Sequence, residues 1–397
     1  MARHVCTFAV AHTDISAQPF SNAGRTVRIL IPNNLYGQAL YAKFSNYFSK
    51  RPVWIEHASV ALADEAGNLI PESICTLTVG GDTSFAIVPE RDVFSDRIPF
   101  SAAPGQTIAV SLYYPSSEKP TSGNFVGTFA VRSTRGDYTT TPEMPKAKLL
   151  SNLSKTVLTW DMTNAVTTLS AVVLEQDEQT PAPRIVAAFG DSIMQQGAWV
   201  TPFMQALYEK YPGEIAVCNL GIGGNRLLHD SPSSVKGIYG IAGAERFSYD
   251  VLPLQGLTHV IFGLGTNDLG LPGKDGTPME ELLIPSEYEA AVKELGQKLR
   301  ERGVKVYGAL MLPRELNAVY TSMRERIRRY LNQWMEDSGV FDAILDFESA
   351  VADPSGAGMK KEFFLPDGLH PNKQGGLNKM PKDEGRFLAY GTAKSVA

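Results

Sequence analysis

Four short segments of the chain combine glycines with side chains that can react or form hydrogen bonds. They are Gly190-Asp191-Ser192, the loop 219–225, the stretch 263–268 and the stretch 365–372. A serine hydroxyl becomes a nucleophile when a base removes its proton, and a histidine oriented by a carboxylate is a suitable base. Glycines allow backbone N–H groups to come close to a ligand. The segments therefore contain the groups that nucleophilic catalysis requires, with Ser192 as the candidate nucleophile.

The last of these segments, Leu365-Pro-Asp-Gly-Leu-His-Pro-Asn372, places Asp367 and His370 three residues apart. In a loop or a helical turn, this spacing can bring the carboxylate to one imidazole nitrogen while the other nitrogen faces a serine. A plain surface turn and a pair of metal ligands are the alternatives. A metal site needs a further His, Asp or Glu nearby, and the sequence shows no such cluster. We therefore expect no metal.

The loop 219–225 is rich in glycine but does not match a dinucleotide-binding fingerprint. After Gly221 and Gly223, the third glycine of that motif is missing, and no acidic residue follows where a ribose would need it. We therefore expect no cofactor. Each segment taken alone also has a structural explanation: Ser192 can begin a helix after a glycine turn, the loop can be a plain tight turn, and Asn267 suits a turn or a helix cap.

The candidate residues follow apolar stretches that are typical of strands buried on both faces. These stretches are 185–189, 215–218, 257–262, 304–310 and 341–345. Helical patterns alternate with them, which predicts a parallel sheet covered by helices on both faces, with ligands bound at the carboxyl ends of the strands. The fold class predicted for this part of the chain is α/β.

Three helices have recognisable signals in the sequence. Thr201 can cap one of them with Pro202 at its first position, and Ser286 with Glu289 forms a capping box for the next. The third helix ends at Gly339, and its apolar spacing is marked by Met323, Ile327, Tyr330 and Trp334. Its charged face is predicted to be solvated and consists of Arg324, Arg326, Arg328 and Arg329.

Up to about residue 178, short runs of alternating side chains are broken by turns, which is typical of half-buried strands. Val27, Ile29 and Ile31 form one such run. The stretch 175–183 is polar and then rich in proline, so it is predicted to link two domains. We predict an all-β sandwich or jelly-roll domain over residues 1–178 and the α/β domain over residues 179–397.

The composition limits the classes of protein to which the chain can belong. Its 397 residues include 37 Lys and Arg against 42 Asp and Glu, so the basic excess of a nucleic-acid-binding protein is missing. No apolar run approaches the roughly 18 residues of a membrane span, and three dispersed cysteines give no disulfide framework. The first residues make a weak secretory signal, which predicts a cytoplasmic protein, and a secreted protein whose signal peptide has been removed is the alternative. The sequence gives no prediction of oligomeric state.

The four segments together resemble the hallmark blocks of the SGNH hydrolases, also called the GDSL esterase and lipase family. The matching residues are Ser192, Gly224, Asn267 and, with Asp367 before it, His370. Ile193 stands where the first block of the family has leucine. Family members follow the last block with an apolar helix, whereas residues 373–381 are a poor helix former here. The first half loosely resembles the strand-rich region of a bacterial subgroup, over 27–44 and 104–115.

The resemblance implies a flavodoxin-like hydrolase domain and a role for each matching residue. Ser192 would attack an ester carbonyl, with His370 as general base and Asp367 orienting the imidazole. The backbone N–H groups of Ser192 and Gly224, together with the side-chain amide of Asn267, would form the oxyanion hole.

The substrate expected from the resemblance is a small-molecule or oligosaccharide ester with a short acyl group, most simply an acetyl ester of a carbohydrate. A lipase or thioesterase for longer acyl chains and a carbohydrate-binding protein with an inactive hydrolase domain are the alternatives. Arg226 and Arg314 follow strands on the catalytic side and are candidate contacts to a polar substrate, unless they are ordinary surface arginines.

Overall fold

The computed structural model of the protein describes residues 2–18, 21–115, 119–145 and 165–378. The chain divides into two compact units. One unit consists of Met1–Pro183 with Tyr211–Cys218, and the other of Arg184–Lys210 with Asn219–Ala397. The predicted division into residues 1–178 and 179–397 stays a prediction.

The amino-terminal unit is built almost entirely from strands, which confirms that this region is rich in β-structure. Its strands are β1 (Arg3–Ala9), β2 (Thr13–Asp14), β3 (Arg25–Pro32), β4 (Gly37–Ser45), β5 (Val53–Ile55), β6 (His57–Ala63), β7 (Cys75–Thr76), β8 (Phe85–Ile87), β9 (Asp92–Phe94), β10 (Ile98–Ala102), β11 (Thr107–Tyr113), β12 (Ser122–Phe125), β13 (Ala130–Arg135), β14 (Ala165–Thr167) and β15 (Leu169–Gln176). A single turn of 3₁₀ helix, Pro71–Ser73, interrupts them within the described residues.

These strands form two five-stranded antiparallel sheets and two smaller ones. One large sheet has the order β1-β15-β4-β10, with β9 also paired to β4, and the other has the order β13-β3-β11-β6-β7. In the second sheet Ile29 lies opposite Val110 and Ile31 lies opposite Ile108, so the predicted alternation places these side chains together. The smaller sheets are β14-β12-β2 and β5-β8.

The interior strand β3 is buried more completely than its alternating pattern predicts. Arg28 is fully buried and not solvated. Its guanidinium donates to the Ser111 hydroxyl and to the backbone oxygens of Tyr138, Thr141 and Pro142, at distances of 2.8 to 3.0 Å. Because these acceptors satisfy the hydrogen bonds of the guanidinium, the buried charge is tolerated. The alternating pattern of a half-buried strand predicts instead that this face is exposed.

The carboxyl-terminal unit alternates strands and helices, and its fold class agrees with the prediction. The strands are β16 (Arg184–Gly190), β18 (Leu257–Gly263), β19 (Lys305–Ala309) and β20 (Ala343–Leu345), together with β17 (Ile215–Gly221), whose residues up to Cys218 fall in the amino-terminal unit. They form one sheet of order β17-β16-β18-β19-β20, in which the pairs from β16 to β20 are parallel. This is the flavodoxin-like strand order, in which ligands bind at the carboxyl ends of the strands.

Eight α-helices belong to the described part of the sequence. They are α1 (Ser192–Gln195), α2 (Val200–Lys210), α3 (Gly243–Asp250), α4 (Thr266–Gly270), α5 (Pro285–Arg300), α6 (Ser322–Asp337), α7 (Phe347–Val351) and α8 (Lys373–Asn378). Within that part, no helix has both the length and the apolar character needed to span a bilayer.

The two predicted capping arrangements are wrong. Helix α2 already includes Thr201, which therefore does not cap it. Helix α5 begins with Pro285 at its first position, and Ile284 is its N-cap. Proline fixes the backbone angle that the first helical residue needs, so the helix starts one residue before Ser286 and leaves no capping box.

Helix α6 also differs from its prediction, because part of its arginine face is buried. Arg326 and Arg329 are exposed, but Arg324 and Arg328 are buried. Arg328 lies 2.7 Å from Glu325 and 2.8 Å from Glu348, and these carboxylates neutralise it inside the unit. Met323 and Tyr330, two of the residues that mark the apolar spacing of this helix, are exposed.

A short helix, α8, follows His370-Pro371-Asn372, where we expected a poor helix former. The Asn372 side chain accepts hydrogen bonds from the backbone N–H groups of Gln374, at 2.9 Å, and Gly375, at 3.0 Å, and so caps the helix. A Cβ atom at Gly376 would lie 2.1 Å from the backbone oxygen of Ala198, so glycine is needed for the packing. Residues 379–381, the rest of that expectation, lie outside the described residues.

Candidate active site

Ser192 is presented at the carboxyl end of β16 by a sharp strand-to-helix turn. The strand ends at Gly190, Asp191 caps α1, and Ser192 is the first residue of that helix. The Asp191 carboxylate accepts a hydrogen bond of 3.0 Å from the Ile193 N–H. Burial raises the pKa of Asp191 to about 6, although this hydrogen bond opposes the rise. The turn therefore holds the serine at the edge of the sheet where ligands bind.

Three side chains from distant parts of the sequence form a continuous series of hydrogen bonds. The Ser192 Oγ lies 2.7 Å from the Nε2 of His370, and the Nδ1 of His370 lies 2.6 Å from the Oδ2 of Asp367. A carboxylate can only accept, so Nδ1 carries the proton and Nε2 is left to accept from the serine hydroxyl.

Asp367 holds this tautomer because its charge is stabilised locally. Its second oxygen accepts from the backbone N–H groups of Leu369, at 2.9 Å, and His370, at 3.0 Å. Partial burial acts to raise the pKa of Asp367, but the hydrogen bonds from His370 and these amides outweigh it and lower the pKa to about 2. The carboxyl group is therefore ionised at any pH near neutrality.

A neighbouring loop supports the turn that carries Asp367 and His370. The Asn317 side chain donates a hydrogen bond of 3.0 Å to the backbone oxygen of Asp367. Gly368 has a φ of +66°, and a Cβ atom there would lie 2.6 Å from the backbone of Leu316. No sequence pattern predicted the role of Asn317, which is 50 residues from its partner.

Gly224 lies in the loop that follows β17, and Asn267 lies in the short helix α4, which follows β18. Gly224 has a φ of +76°, and a Cβ atom there would lie 2.4 Å from the Tyr239 ring, so only glycine fits. The Asn267 side-chain amide donates a hydrogen bond of 3.0 Å to the backbone oxygen of Asn225. The amide nitrogen has a second hydrogen available for a ligand.

Two backbone donors beside these side chains have no partner within the described residues. They are the N–H groups of Ser192 and Gly224, for which neither a backbone nor a side-chain acceptor is found there. A donor of this kind at a ligand-binding sheet edge can bind an anionic oxygen.

Asp268, next to Asn267, fastens the loop that contains Gly224. Its two carboxylate oxygens accept from the backbone N–H groups of Leu227, at 2.8 Å, and Leu228, at 2.9 Å. Burial is the main influence and raises the pKa of Asp268, while the two amides oppose it. The sequence offered a signal here, because Asp268 lies in the same segment as Asn267, but its positioning role was not predicted.

The candidate substrate contacts Arg226 and Arg314 are not surface arginines, since both are only 3% exposed. Arg226 lies 2.6 Å from Glu281 and also donates to the backbone oxygen of Asp230. Arg314 donates to the backbone oxygen of Thr266 at 2.6 Å, and burial lowers its pKa to about 10. Both guanidinium groups are thus engaged inside the unit, and contact with a substrate stays a prediction.

A cavity of about 30 Å³ lies beside the turn that carries Ser192. Asp191 and Ile193, which flank Ser192 in the sequence, both line it. Its remaining lining is mostly apolar and includes Met194, Trp199, Met311, Leu312 and Phe347. Over the described ranges, no group of three or more His, Cys, Asp or Glu side chains is arranged to hold a metal ion.

Solved structures that match part of this chain include three hydrolases. A GDSL-like lipase from Bacteroides thetaiotaomicron is 16% identical with a TM-score of 0.35, covering 49% of this chain and 82% of that one. An acetylxylan esterase from Geobacillus stearothermophilus is 19% identical with a TM-score of 0.38, covering 49% and 89%. An alpha/beta hydrolase enzyme from the metagenome of Lake Arreo, Spain, is 18% identical with a TM-score of 0.40, covering 53% and 96%. No curated protein matches the sequence.

The family comparison concerns the carboxyl-terminal half of the sequence. Residues 188–376 match the model of the GDSL-like Lipase/Acylhydrolase family, which confirms the resemblance inferred from the motifs. This range contains all the motif residues described above, namely Ser192, Gly224, Asn267, Asp367 and His370. The chain therefore contains, at residues 188–376, a domain that belongs to the GDSL-like lipase/acylhydrolase family.

Proposed function

We propose that this protein is a serine esterase in which Ser192 is the nucleophile, His370 the general base and Asp367 the residue that orients the imidazole. The observation that carries the proposal is the unbroken series of hydrogen bonds from the Ser192 hydroxyl to the Asp367 carboxylate, with distances of 2.7 and 2.6 Å. Such a series joins nucleophile, base and orienting carboxylate in the order that serine catalysis needs.

In the proposed reaction, His370 Nε2 takes the hydroxyl proton as Ser192 Oγ attacks the ester carbonyl carbon. The carbonyl oxygen becomes an anion, which the backbone N–H groups of Ser192 and Gly224 and the Asn267 amide stabilise. His370 then gives the proton to the departing alcohol as the ester bond breaks. Water, activated by the same imidazole, releases the acid from Ser192 and restores the serine.

We also propose that the acyl group is short, most simply acetyl, and that the alcohol is a carbohydrate. The cavity beside Ser192 has only about 30 Å³, whereas about 10 to 15 Å³ is enough for one water molecule, so it leaves little room for an acyl chain. Trp199 and Phe347 pack against each other at its wall, with ring centroids 4.8 Å apart, which restricts a long chain. These features favour a short acyl group over a fatty acyl chain.

The test is acetate release from a panel of acetylated oligosaccharides, together with nitrophenyl esters of increasing acyl length. We expect turnover that is greatest for acetyl esters and is abolished by Ser192→Ala. Rates that rise with acyl length would favour a lipase or thioesterase instead. Oligosaccharide binding without any turnover would indicate a carbohydrate-binding protein with an inactive hydrolase domain. Equal turnover by Ser192→Ala would refute the assigned nucleophile.

A further inference from the structure

Arg246 on helix α3 is a buried arginine that contacts two of the loops around the site. Its side chain is 2% exposed. The Nη2 group donates to the backbone oxygen of Gly190 at 2.9 Å, and the Nη1 group to that of Leu220 at 3.0 Å. The Nε group donates to the Oδ1 of Asn225 at 2.8 Å. One guanidinium group therefore joins the ends of β16 and β17 to the loop that contains Gly224 and Asn225.

The charge of Arg246 is balanced within the same cluster. Asp250, itself almost fully buried, lies 3.0 Å from Nη1, and the guanidinium carbon lies 4.2 Å from the centroid of the Phe189 ring. Burial is the main influence and lowers the pKa of Arg246, whereas Asp250 opposes this. The planar guanidinium of Arg246 donates hydrogen bonds in several fixed directions, which a lysine ammonium on a flexible chain cannot reproduce.

Asn225 extends this arrangement toward Asn267. Its Nδ2 group donates to the backbone oxygens of Tyr239 and Ile241, both at 2.8 Å, while Oδ1 accepts from Arg246. The side-chain amide is therefore held in one orientation. The backbone oxygen of Asn225 accepts the hydrogen bond from the Asn267 amide. The position of Asn225 thus fixes one hydrogen of that amide.

We propose that Arg246 is a positioning residue for the oxyanion hole. Gly190 lies two residues before the Ser192 N–H, and Asn225 lies one residue after Gly224. By holding both segments, Arg246 sets the spacing of the two backbone donors, and through Asn225 it sets the Asn267 amide. This inference rests on the proposed esterase function, because the donors matter only if an anionic oxygen forms between them.

The experiment compares Arg246→Lys with Arg28→Lys, since both residues are buried arginines with several backbone acceptors and Arg28 lies in the other unit. Turnover of nitrophenyl acetate is measured together with inhibition by a trifluoromethyl ketone. Ser192 Oγ adds to the ketone carbon, its proton goes to His370, and the ketone oxygen becomes an anion. This inhibitor therefore reports the oxyanion hole without ester cleavage.

For Arg246→Lys we expect kcat to fall by roughly 10- to 100-fold and KM to change by less than about threefold. A displacement of a catalytic group by about 1 Å can cause a loss of kcat of this size. The inhibition constant of the ketone should rise by the same factor as kcat/KM falls. Arg28→Lys should lower the melting temperature but leave kcat within about twofold of the wild type. Asn225→Ala, which removes the Nε acceptor, should lower kcat in the same manner as Arg246→Lys.

A folded Arg246→Lys variant with wild-type kcat and ketone affinity would overturn the inference. An equal loss of kcat in Arg28→Lys would also overturn it, because the effect would then be general destabilisation. If Arg246→Lys does not fold, Asn225→Ala decides, and unchanged kcat in that variant refutes the inference. If the wild-type protein shows no turnover that depends on Ser192, the esterase function and the inference on Arg246 are both refuted. If the wild type is active and Arg246→Lys is equally active, only the inference on Arg246 is refuted.

Discussion

Two histidine–aspartate pairs with the same geometry lie in different units of the molecule. In the strand-rich unit, the Nδ1 of His57 lies 2.6 Å from the Oδ2 of Asp137. In the carboxyl-terminal unit, the distance between the Nδ1 of His370 and the Oδ2 of Asp367 is also 2.6 Å. In both pairs the other carboxylate oxygen accepts a backbone N–H, from Thr139 on Asp137 and from His370 itself on Asp367. The pair alone is therefore not a sign of catalysis.

The pairs differ at the second imidazole nitrogen. The Nε2 of His370 lies 2.7 Å from the Ser192 hydroxyl, and the side chain is 14% exposed. The His57 side chain is 50% exposed and stacks on the Tyr113 ring. Over residues 2–18, 21–115, 119–145 and 165–378, no hydroxyl or thiol lies within hydrogen-bonding distance of its Nε2. The His370–Asp367 pair is distinguished by the strand end that brings Ser192 to its second imidazole nitrogen, since a short turn alone can form a histidine–aspartate pair.

Replacing each of the two histidines by alanine should give the largest difference in kcat. His370→Ala should lower kcat by roughly 10⁴-fold or more, because Ser192 loses the base that removes its proton. His57→Ala should leave kcat within about twofold of the wild type. Both variants are assayed with nitrophenyl acetate after their folding has been checked by circular dichroism. A comparable loss in the two variants would remove the distinction between the pairs.

The next effect separates the two carboxylates. Asp367→Asn should lower kcat by roughly 10²- to 10⁴-fold, since an amide does not stabilise the imidazolium that forms when Ser192 loses its proton. Asp137→Asn is the matched control and should leave kcat unchanged. The measurement is the steady-state rate at saturating ester. Activity of Asp367→Asn equal to that of the control would contradict an orienting role for Asp367.

A smaller loss of kcat is expected when the Asn267 amide of the carboxyl-terminal unit is removed. Asn267→Ala should lower kcat by roughly 10²- to 10³-fold with little change in KM, because the amide acts on the oxyanion and not on the bound ester. Asn33, a buried asparagine of the strand-rich unit, donates to the backbone oxygens of Leu35 and Ala103 and provides the control. Asn33→Ala should lower the melting temperature only. A change confined to KM in Asn267→Ala would argue against the oxyanion role.

The smallest effect concerns stability and contrasts Asp191 with Asp367. Burial raises the pKa of Asp191 from 3.8 to about 6, so its ionised form destabilises the fold above that pH, by up to about 3 kcal/mol. This destabilisation disappears as the pH falls below the unfolded value of 3.8. Asp191→Asn should therefore raise the free energy of unfolding at pH 8 and have no such benefit near pH 4, as measured by urea denaturation.

Asp367 has the opposite sign, which makes the stability test specific. Its folded-state pKa of about 2 lies below the ordinary 3.8, so its ionised form stabilises the fold above pH 3.8, and the contribution is lost as the pH falls toward 2. Asp367→Asn should consequently lose stability at pH 8. Stabilisation by Asp367→Asn, or destabilisation by Asp191→Asn at that pH, would contradict the assigned environments.

The arrangement of the candidate site could be predicted from the sequence because each segment follows a strand of one parallel sheet. Neighbouring parallel strands end at the same edge, so Ser192 after β16 and Asn267 after β18 must lie close together. The strand positions needed no long-range information, since continuous apolar runs are typical of strands buried on both faces.

The environment of charged side chains could not be predicted in the same way. Arg328 was expected on a solvated face, but Glu348, twenty residues further along the chain, reaches it in the folded unit. Arg226 and Glu281 form a similar pair across 55 residues. Local pattern carries no information on such partners, so burial of an arginine is visible only once the chain has folded.

The most direct test of Ser192 as a nucleophile activated by His370 is labelling with diisopropyl fluorophosphate, followed by mass spectrometry of the intact protein and of its peptides. Ser192 Oγ displaces fluoride at phosphorus as His370 takes the hydroxyl proton. We predict one phosphoryl group, located on Ser192, with equal rates in the wild type and His57→Ala and a strongly reduced rate in His370→Ala. A group located on another residue, or an undiminished rate in His370→Ala, would contradict the account.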